Sequence, residues 1–393
     1  MPMRPERYIE QMLNDEGLSP QQRKTLVRYI EVCQANGLKA ATKATYAKAI
    51  RDLGISVKKP FEEITREDMV KYLVDLSTRM KESTLGHRKI IIKMFYKHLN
   101  DGDIPDVVKW FTWTRRNKLP IKSIDQLISP EEVLELIKVC DHPRDKALIA
   151  FLYESAARAG ELLALKVGSV QFDENGAVVL LTGKTGERRI RLIQSAPYLC
   201  SWLNVHPNKG NPDAPLWAAL RKRKKEGKIE MVVTGIEQTR LTHLIRMASD
   251  KAGIRYRHPH LFRHSRLTEL AKYLPEYKLK VFAGWSPDSN VASIYVHLSG
   301  KDLDGDIIDI YGKNKEPKST KKQPMKPKTC PRCERENPAD ARFCNCGQVL
   351  DIEMAMDLED ATNNLLMKLL TNPEIQKLLG AEKTDDGRLV IKI

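Results

Sequence analysis

Apolar residues recur at helical spacing through most of the first 300 residues, and this pattern limits the fold more than any other feature of the sequence. The spacing predicts helices over Ala41–Leu53, Val70–Leu76 and Ile90–Leu99. Amphipathic helices of this kind bury their apolar sides against one another. We therefore expect a mainly α protein.

Capping residues mark several helix starts. Thr65 and Ser83 are predicted N-caps of the helices that follow them. Ser129 is predicted as a further N-cap, because Pro130 follows at the first helical position and glutamates complete the first turn.

One cluster of strand-forming residues interrupts the helical pattern. Ala177–Leu181 is a short apolar run, and Arg188–Ile193 alternates between polar and apolar residues. The segment Thr182–Gly186 between them is typical of a turn, which places Lys184 at the tip of a hairpin. The predicted fold class is mainly α with a small antiparallel β-sheet, and the domain that holds the hairpin is α+β.

Changes in composition divide the chain into six segments. The expected boundaries are 1–112 for a small helical domain, 113–128 for a basic linker, 129–312 for the main domain, 313–328 for a Lys-rich linker, 329–349 for a cysteine cluster and 350–393 for an amphipathic helix with a tail. The second linker contains seven lysines and three prolines, which favours a flexible, extended segment.

The net charge of +15 favours a polyanionic partner, because each Lys or Arg that docks on a phosphate releases condensed counterions. The first 18 residues lack the apolar segment of a secretory signal, and no stretch approaches the ~20 apolar residues of a membrane helix. Seven cysteines, an odd number, do not suit a secreted disulfide framework. We expect a cytoplasmic protein that makes no membrane contact.

Four segments contain residues that could carry chemistry, and none is decisive alone. Arg158 interrupts small and apolar residues, so it needs an anionic partner, and an internal salt bridge to Glu161 would also satisfy it. Lys184 lies in a turn, where lysines are commonly just solvated. His260 and Arg263 share one helix face at i, i+3 spacing, although a histidine packed in the core beside an arginine would show the same pattern.

The fourth segment joins Trp285 to Tyr295, ten residues later, and by itself it would indicate an aromatic packing cluster. Taken in order, the four segments resemble the tyrosine recombinase family, which includes phage integrases and chromosome-dimer-resolving recombinases. The matching runs are ARAGELLALK, GKTGERRIRL, HPHLFRHS and AGWSPDSNVASIYVHL. The resemblance covers roughly residues 20 to 312, because the helical N-terminal part also looks like the core-binding domain of that family.

The resemblance implies a site-specific recombinase or integrase that cuts and rejoins DNA through a 3′-phosphotyrosyl link, without ATP or a catalytic metal. The implied roles are phosphate clamping for Arg158 and Arg263, general acid for Lys184, phosphate positioning and proton movement for His260, an indole hydrogen bond for Trp285 and nucleophilic attack for Tyr295. The implied partner is double-stranded DNA, held between the two domains. A homotetramer is implied in the synaptic complex, with a monomer or dimer free in solution.

Two departures from the family pattern accompany the resemblance. Trp285 stands where many members have His, and its ten-residue spacing to the tyrosine exceeds the common nine by one. Arg158 is followed by Ala-Gly instead of a branched residue and Ser. We expect Glu161 to hold Arg158 in place, and we interpret His264 either as a support of the site or as a packing residue. Tyr311, a second candidate nucleophile, is interpreted as a packing residue.

The cysteine cluster resembles a short zinc ribbon. Its four thiols are Cys330, Cys333, Cys344 and Cys346, a CxxC pair followed by a CxC pair. Four thiolates suit tetrahedral Zn²⁺, and so short a segment needs a staple to fold. We expect a structural zinc site, with a redox-active thiol cluster as the alternative. The CxC pair is one spacer residue shorter than the usual zinc knuckle.

Other functions remain open from the sequence alone. A type IB topoisomerase would share the chemistry and relax supercoils as a monomer. A non-catalytic DNA-binding regulator could use the same fold. The basic run Arg221–Lys228 could contact a DNA backbone or form an exposed, solvated loop. The amphipathic helix predicted at Leu350–Leu370 could dock on its own chain or pair with another subunit.

Overall fold

The computed structural model describes residues 5–112, 126–183, 186–225, 228–298, 311 and 324–351, with isolated residues and two short strands beyond 351. The chain divides into two compact units, Met1–Lys118 and Leu119–Ile393. Most of the predicted linker 113–128 lies outside the described residues, as do Lys184 and most of the helix predicted at Leu350–Leu370. In the described part of the chain, no helix is both long enough and apolar enough to cross a membrane.

The first unit is helical, as predicted. Its helices are α1 Pro5–Leu13, α2 Pro20–Ala35, α3 Ala40–Val57, α4 Arg66–Arg79, α5 Glu82–Leu99 and α6 Asp106–Lys109. Their apolar sides form one core, in which Phe95 packs edge-on against Tyr29 and Phe61. The predicted N-cap Thr65 is confirmed, because its hydroxyl accepts a hydrogen bond from the Asp68 amide. The prediction for Ser83 was wrong, since α5 begins at Glu82 with Lys81 as its N-cap, and Ser83 lies inside the helix.

Some of the basic residues in this unit have structural partners. Arg51 and Arg88 both bind the Asp52 carboxylate, at 2.8 and 2.7 Å. Lys93 donates to the Phe111 carbonyl at 2.9 Å. These three side chains therefore stabilise the helical unit itself, in addition to any contact with a partner.

The second unit is built around helix α8. Its helices are α7 Pro130–Lys138, α8 Pro143–Glu154, α9 Ala159–Leu163, α10 Ala196–Asn204, α11 Gln238–Ala252, α12 Pro259–Leu270, α13 Glu276–Ala283 and α14 Val291–Leu298. Every side chain from Ala147 to Tyr153 is buried. A helix that is apolar all round belongs in a core, and α8 packs against α7, α10 and α12. Ser129 caps α7 with Pro130 at the first helical position, as predicted.

The predicted hairpin is confirmed and is part of a three-stranded antiparallel sheet. The sheet consists of β1 Val170–Asp173, β2 Gly176–Gly183 and β3 Gly186–Leu192. Gly183 pairs with Gly186 across the hairpin. Lys184 and Thr185, which stand between them in the sequence, are not among the described residues.

A second hairpin contradicts the expectation of a single strand cluster. Strands β4 Ala218–Lys225 and β5 Lys228–Gly235 pair antiparallel, so the described residues of the basic run, Arg221–Lys225 and Lys228, lie on paired strands and not on a loop. The run RKRKK contains no apolar residue and therefore shows no alternation, and lysine has low β-propensity. Pairing with the neighbouring strand is what makes this segment a strand.

Short strands also occur near the end of the chain. Strand β6 Lys328–Thr329 pairs with β7 Glu336–Asn337, and β8 Ala381–Lys383 pairs with β9 Leu389–Ile391. Met325, from the segment predicted as a Lys-rich linker, is fully buried in the core of the second unit.

The carboxylate of Glu154 fixes the end of α8 to the chain that leaves the sheet. It accepts hydrogen bonds from the backbone amides of Ile193, Gln194 and Ser195, at 2.7 to 2.9 Å, and from the Ser195 hydroxyl at 2.6 Å. Glu154 is 5% exposed and Ser195 is fully buried, so the Ser195 amide and hydroxyl have no access to replacement water.

We predict that Glu154→Ala lowers the free energy of unfolding by about 3 kcal/mol, because two buried Ser195 donors and two part-buried amides lose their acceptor at once. Urea unfolding measures the change. Glu135→Ala is the matched control, since Glu135 is exposed and pairs with Lys138 on the same helix, and its effect should stay within about 0.5 kcal/mol. Equal effects for the two variants would contradict this account of Glu154.

Candidate active site

Arg158 lies at the N-terminus of α9 and is held by Glu161. One carboxylate oxygen of Glu161 accepts from the Arg158 amide at 3.0 Å, and the other accepts from Nη1 at 2.6 Å. The internal salt bridge considered from the sequence therefore exists. The Arg158 side chain is still 32% exposed, so it can meet a ligand from the solvent side while Glu161 holds it from behind.

Arg188 is a second arginine on the same carboxylate, and sequence reasoning missed its role. Its Nη2 lies 2.8 Å from the Glu161 carboxylate, and its Nε donates to the Phe282 carbonyl at 3.0 Å. It thereby ties strand β3 to α9 and to the end of α13. A signal was present in the strand alternation, which puts Arg188 on the buried face with Ile190 and Leu192.

Two glycines make room for this buried ion pair. A Cβ at Gly183 would stand 2.4 Å from the Glu161 carboxylate. A Cβ at Gly284, whose φ is +63°, would stand 2.8 Å from the Arg188 guanidinium. Gly183 ends strand β2, so this end of the strand lies directly beside the carboxylate that holds Arg158.

Arg263 lies on α12 and reaches the same region from the other side. Its Nη1 donates to the Ala156 carbonyl at 2.6 Å, and its Nη2 donates to the Ala283 carbonyl at 2.7 Å. Ala156 has a φ of 48°, a conformation that is uncommon for a residue with a side chain and that orients this carbonyl inward. Burial, followed by the charges of Arg158 and Arg188, lowers the pKa of Arg263 to about 10, so the group stays cationic at neutral pH.

His260 occupies the first turn of α12 and is solvent-exposed. Partial desolvation is the largest cause that lowers its pKa, and the positive charges of Arg263, His258 and Arg158 lower it further. His260 is therefore mainly neutral at pH 7 in this state, and a neutral imidazole can both donate and accept a hydrogen bond.

Trp285 and Tyr295 complete the cluster through ring stacking. Their ring centroids are 5.4 Å apart with planes inclined by 23°, and the Arg263 guanidinium lies 5.5 Å from the Trp285 centroid. His264 also contacts the phenol, and its Nδ1 is 2.5 Å from the Tyr295 hydroxyl. His264 in turn contacts the His260 ring edge-on, with centroids 4.5 Å apart.

The described candidates are thus connected in one cluster. Tyr295 is 1% exposed, and this burial raises its pKa to about 12, although the charges of Arg263 and Arg158 act in the opposite direction. Tyr311 is 74% exposed, so its interpretation as a packing residue was wrong. Lys184 is the predicted site residue that the described part of the chain does not include.

The charges of the cluster favour an anionic ligand. Arg158 and Arg188 share the Glu161 carboxylate, and Arg263 binds neutral carbonyl groups. The three guanidinium groups together with Glu161 leave an excess of two positive charges beside a phenol hydroxyl. Guanidinium groups bind phosphate oxygens with matched planar geometry, so this arrangement suits a phosphate group.

The Glu161 carboxylate should make the stability of the protein sensitive to acid. Burial would raise the pKa of Glu161, but hydrogen bonds from Arg188 and Arg158 outweigh it and lower the pKa to about 2. A carboxyl group with a depressed folded pKa stabilises the fold above its unfolded value, roughly 4.3, and this stability is lost as the pH falls toward 2.

We predict that the difference in unfolding free energy between the wild type and Glu161→Gln shrinks by about 3 kcal/mol as the pH falls from 5 to 2. Chemical denaturation at a series of pH values measures it. Glu135→Gln, at an exposed site, should show a small difference that hardly changes with pH. A Glu161→Gln difference that is independent of pH would show that the carboxylate charge does not hold the two arginines.

The cysteine cluster forms a separate site. The four Sγ atoms lie within 4.8 Å of one another. Cys330 and Cys346 are 3.6 Å apart, as are Cys333 and Cys344, which is much longer than the roughly 2.05 Å of a disulfide. Thiolates around tetrahedral zinc, with Zn–S of about 2.3 Å, would be separated by roughly 3.8 Å. The donor set therefore fits a metal of this kind, and the shortened CxC pair does not prevent it.

Comparison with protein families gives two matches. Residues 126–301 match the phage integrase family, and residues 25–106 match the N-terminal SAM-like domain of phage integrases. Among curated proteins, the chain is 24% identical over 308 residues to the tyrosine recombinase XerA of Saccharolobus solfataricus, covering 75% of this chain and 95% of that protein. It is also 24% identical to XerD of Neisseria meningitidis over 199 residues, which covers 49% of this chain and 65% of XerD.

Solved structures show the same fold. The XerH site-specific recombinase bound to its palindromic difH substrate superposes with a TM-score of 0.55 at 18% identity, covering 77% of this chain and 95% of that one. A lambda integrase dimer bound to a COC′ core site superposes with a TM-score of 0.51 at 14% identity, covering 71% and 77%. With both units matched, the chain belongs to the tyrosine recombinase and phage integrase family.

Proposed function

We propose that this protein is a site-specific DNA recombinase that cleaves and rejoins DNA strands by transesterification. The observation that carries the proposal is the meeting of Arg158, His260, Arg263, Trp285 and Tyr295 in one cluster with excess positive charge. Relatives with solved structures bind DNA substrates, and one of them is a post-cleavage complex.

Each group has a defined task in the reaction. The Tyr295 oxygen attacks phosphorus, the new O–P bond forms the 3′-phosphotyrosyl link, and the P–O5′ bond breaks. Negative charge builds on the two non-bridging oxygens in the transition state. Arg158 and Arg263 stabilise this charge, and Arg's fork-shaped donor set suits it better than a lysine ammonium.

Lys184 is proposed as the general acid that protonates the departing 5′ oxygen. The neighbouring Gly183 lies against Glu161, which supports the placement of the hairpin tip beside Arg158. His260 positions the phosphate and moves a proton at the nucleophile. Trp285 offers one indole N–H to a phosphate oxygen and supports the phenol ring by stacking. One ester replaces another, so the reaction conserves bond energy and requires no ATP.

The proposed DNA partner is a duplex held by both units, with strand exchange in a homotetramer. The net charge of +15 and the basic run on the β4–β5 hairpin favour contacts with the phosphate backbone. Lys222 in this hairpin is exposed and available for such contacts, and the exposed Arg221 pairs with Glu237 at 3.4 Å.

We predict that Tyr295→Phe abolishes the covalent protein–DNA adduct on a nicked suicide substrate, because phenylalanine has no nucleophilic oxygen. Binding to the same DNA should persist, since the arginines remain in place. Denaturing gel electrophoresis detects the adduct, and a filter or shift assay measures binding.

Tyr311→Phe is the matched control and should form the adduct at the wild-type rate. Loss of the adduct in Tyr311→Phe would reassign the nucleophile. A wild type that binds DNA and traps no adduct would be a non-catalytic regulator. Relaxation of a plasmid without a recombination site by monomeric protein would favour a topoisomerase.

We further propose that Cys330, Cys333, Cys344 and Cys346 bind one structural zinc ion. The metal would hold together a segment whose secondary structure is two short strands and turns. An ion pair between Asp340 and Lys146 of α8 docks this segment on the catalytic unit, near the end of α8 that is distant from Arg158. The metal therefore supports the fold and lies outside the phosphate chemistry.

The purified protein should contain about one zinc per chain by elemental analysis. Cys344→Ser should lose most of it, because one of four ligands is removed. Cys200→Ser is the matched control, since Cys200 is exposed and lies outside the cluster, and its zinc content should equal that of the wild type. Full zinc content in Cys344→Ser would contradict the assignment.

A further inference from the structure

The hydrogen bond between Tyr295 and His264 has no part in the reaction described so far. The phenol hydroxyl and Nδ1 are 2.5 Å apart, and the two side chains are 1% and 8% exposed. The contact bridges helices α12 and α14, so it depends on how α14 packs against the rest of the unit.

In the tautomer that carries its proton on Nε2, the imidazole of His264 accepts this hydrogen bond from the phenol hydroxyl. Burial lowers the pKa of His264 to about 4, with further contributions from His260, Arg263 and His258, so the ring is neutral near pH 7. The pKa of the phenol is about 12. With these two values the proton stays on the Tyr295 oxygen, and the contact holds the phenol without activating it.

The position of Tyr295 is withdrawn from the solvent. The ring packs in a small apolar cluster with Leu267, Leu279 and Ala292, and Trp285 covers one of its faces. A phosphate in a DNA duplex cannot come within bonding distance of an oxygen on a side chain that is 1% exposed. The phenol must therefore leave this position before it can attack.

The chain before α14 provides a way for the helix to move. Ser286, Pro287, Asp288 and Asn290 between Trp285 and α14 are all exposed. A segment with few packed side chains can change its backbone angles at low cost. The same segment contains the extra residue that makes the spacing from Trp285 to Tyr295 ten residues instead of the nine common in the family.

We propose that His264 is a positioning residue that holds the Tyr295 hydroxyl in a withdrawn position until DNA is bound. The phosphate competes with this contact, and the nucleophile reaches it by giving up the hydrogen bond to Nδ1. The inference rests on the proposed function, because it takes Tyr295 as the nucleophile.

Two substitutions separate the hydrogen bond from the volume of the side chain. His264→Leu fills similar space and removes the acceptor, whereas His264→Asn keeps an acceptor oxygen close to the position of Nδ1. We expect His264→Leu to raise the single-turnover rate constant for adduct formation about fivefold, the factor that a hydrogen bond of ordinary strength represents. The Kd for DNA should not change, and His264→Asn should react at nearly the wild-type rate.

Other outcomes overturn the inference. A slower reaction in His264→Leu with recovery in His264→Asn would mean that His264 assists the attack itself. Wild-type rates in both variants would mean that the contact has no role. If the wild type forms no adduct at Tyr295, the proposed function is wrong. If the wild type forms the adduct and both His264 variants form it at the wild-type rate, only this inference is wrong.

A spectroscopic measurement keeps the test independent of how well His264→Leu folds. The pKa of His264 can be followed by NMR in the wild type and in Tyr295→Phe, with the signal assigned from its absence in His264→Asn. Accepting a hydrogen bond stabilises the neutral imidazole, so loss of the phenol hydroxyl should raise the pKa of His264. An identical pKa in both proteins would show that the contact does not exist in solution.

Discussion

The Glu161 carboxylate is the constraint on which the active-site geometry depends. It is buried, and it binds the Arg158 amide, the Arg158 guanidinium and the Arg188 guanidinium at the same time. The carboxylate therefore joins the start of α9 to the buried face of β3. Arg188 extends this connection to the end of α13, because it also donates to the Phe282 carbonyl. A buried charge must be paired, so Arg188 and Glu161 cannot separate without a large cost in free energy, and the same carboxylate holds the partly exposed Arg158. This fixes Arg158 beside Arg263 and leaves positive charge for a phosphate.

The sequence could predict the individual motifs of the site because each motif is formed by residues that are close together in the chain. The i, i+3 spacing of His260 and Arg263 gives their shared helix face, and the alternation through Arg188–Ile193 gives the hairpin. The capping pattern at Ser129 is equally local, since its partner amide is three residues away. The family resemblance then linked the separate motifs, and the fold and the family membership agree with it.

What escaped prediction depends on contacts between distant segments. Arg188 shares the carboxylate of a residue 27 positions away, and no local pattern reveals that pairing. The contact between His264 and Tyr295 spans 31 positions and depends on how α14 packs on α12. The hairpin β4–β5 was missed because β4 contains the charged run Arg221–Lys225, and strand pairing can override such weak local preferences. The exposure of Tyr311 likewise follows from tertiary structure and not from its neighbours in the sequence.

The central claim is that the phosphate bound by Arg158 and Arg263 becomes bonded to the Tyr295 oxygen. The most direct measurement is mass spectrometry of the trapped adduct after digestion with trypsin and nuclease. The account predicts a nucleotide linked through phosphotyrosine on the peptide Val281–Lys301, which contains Tyr295 as its single tyrosine. A nucleotide on Asp302–Lys313, which contains Tyr311, or on any other peptide would contradict it.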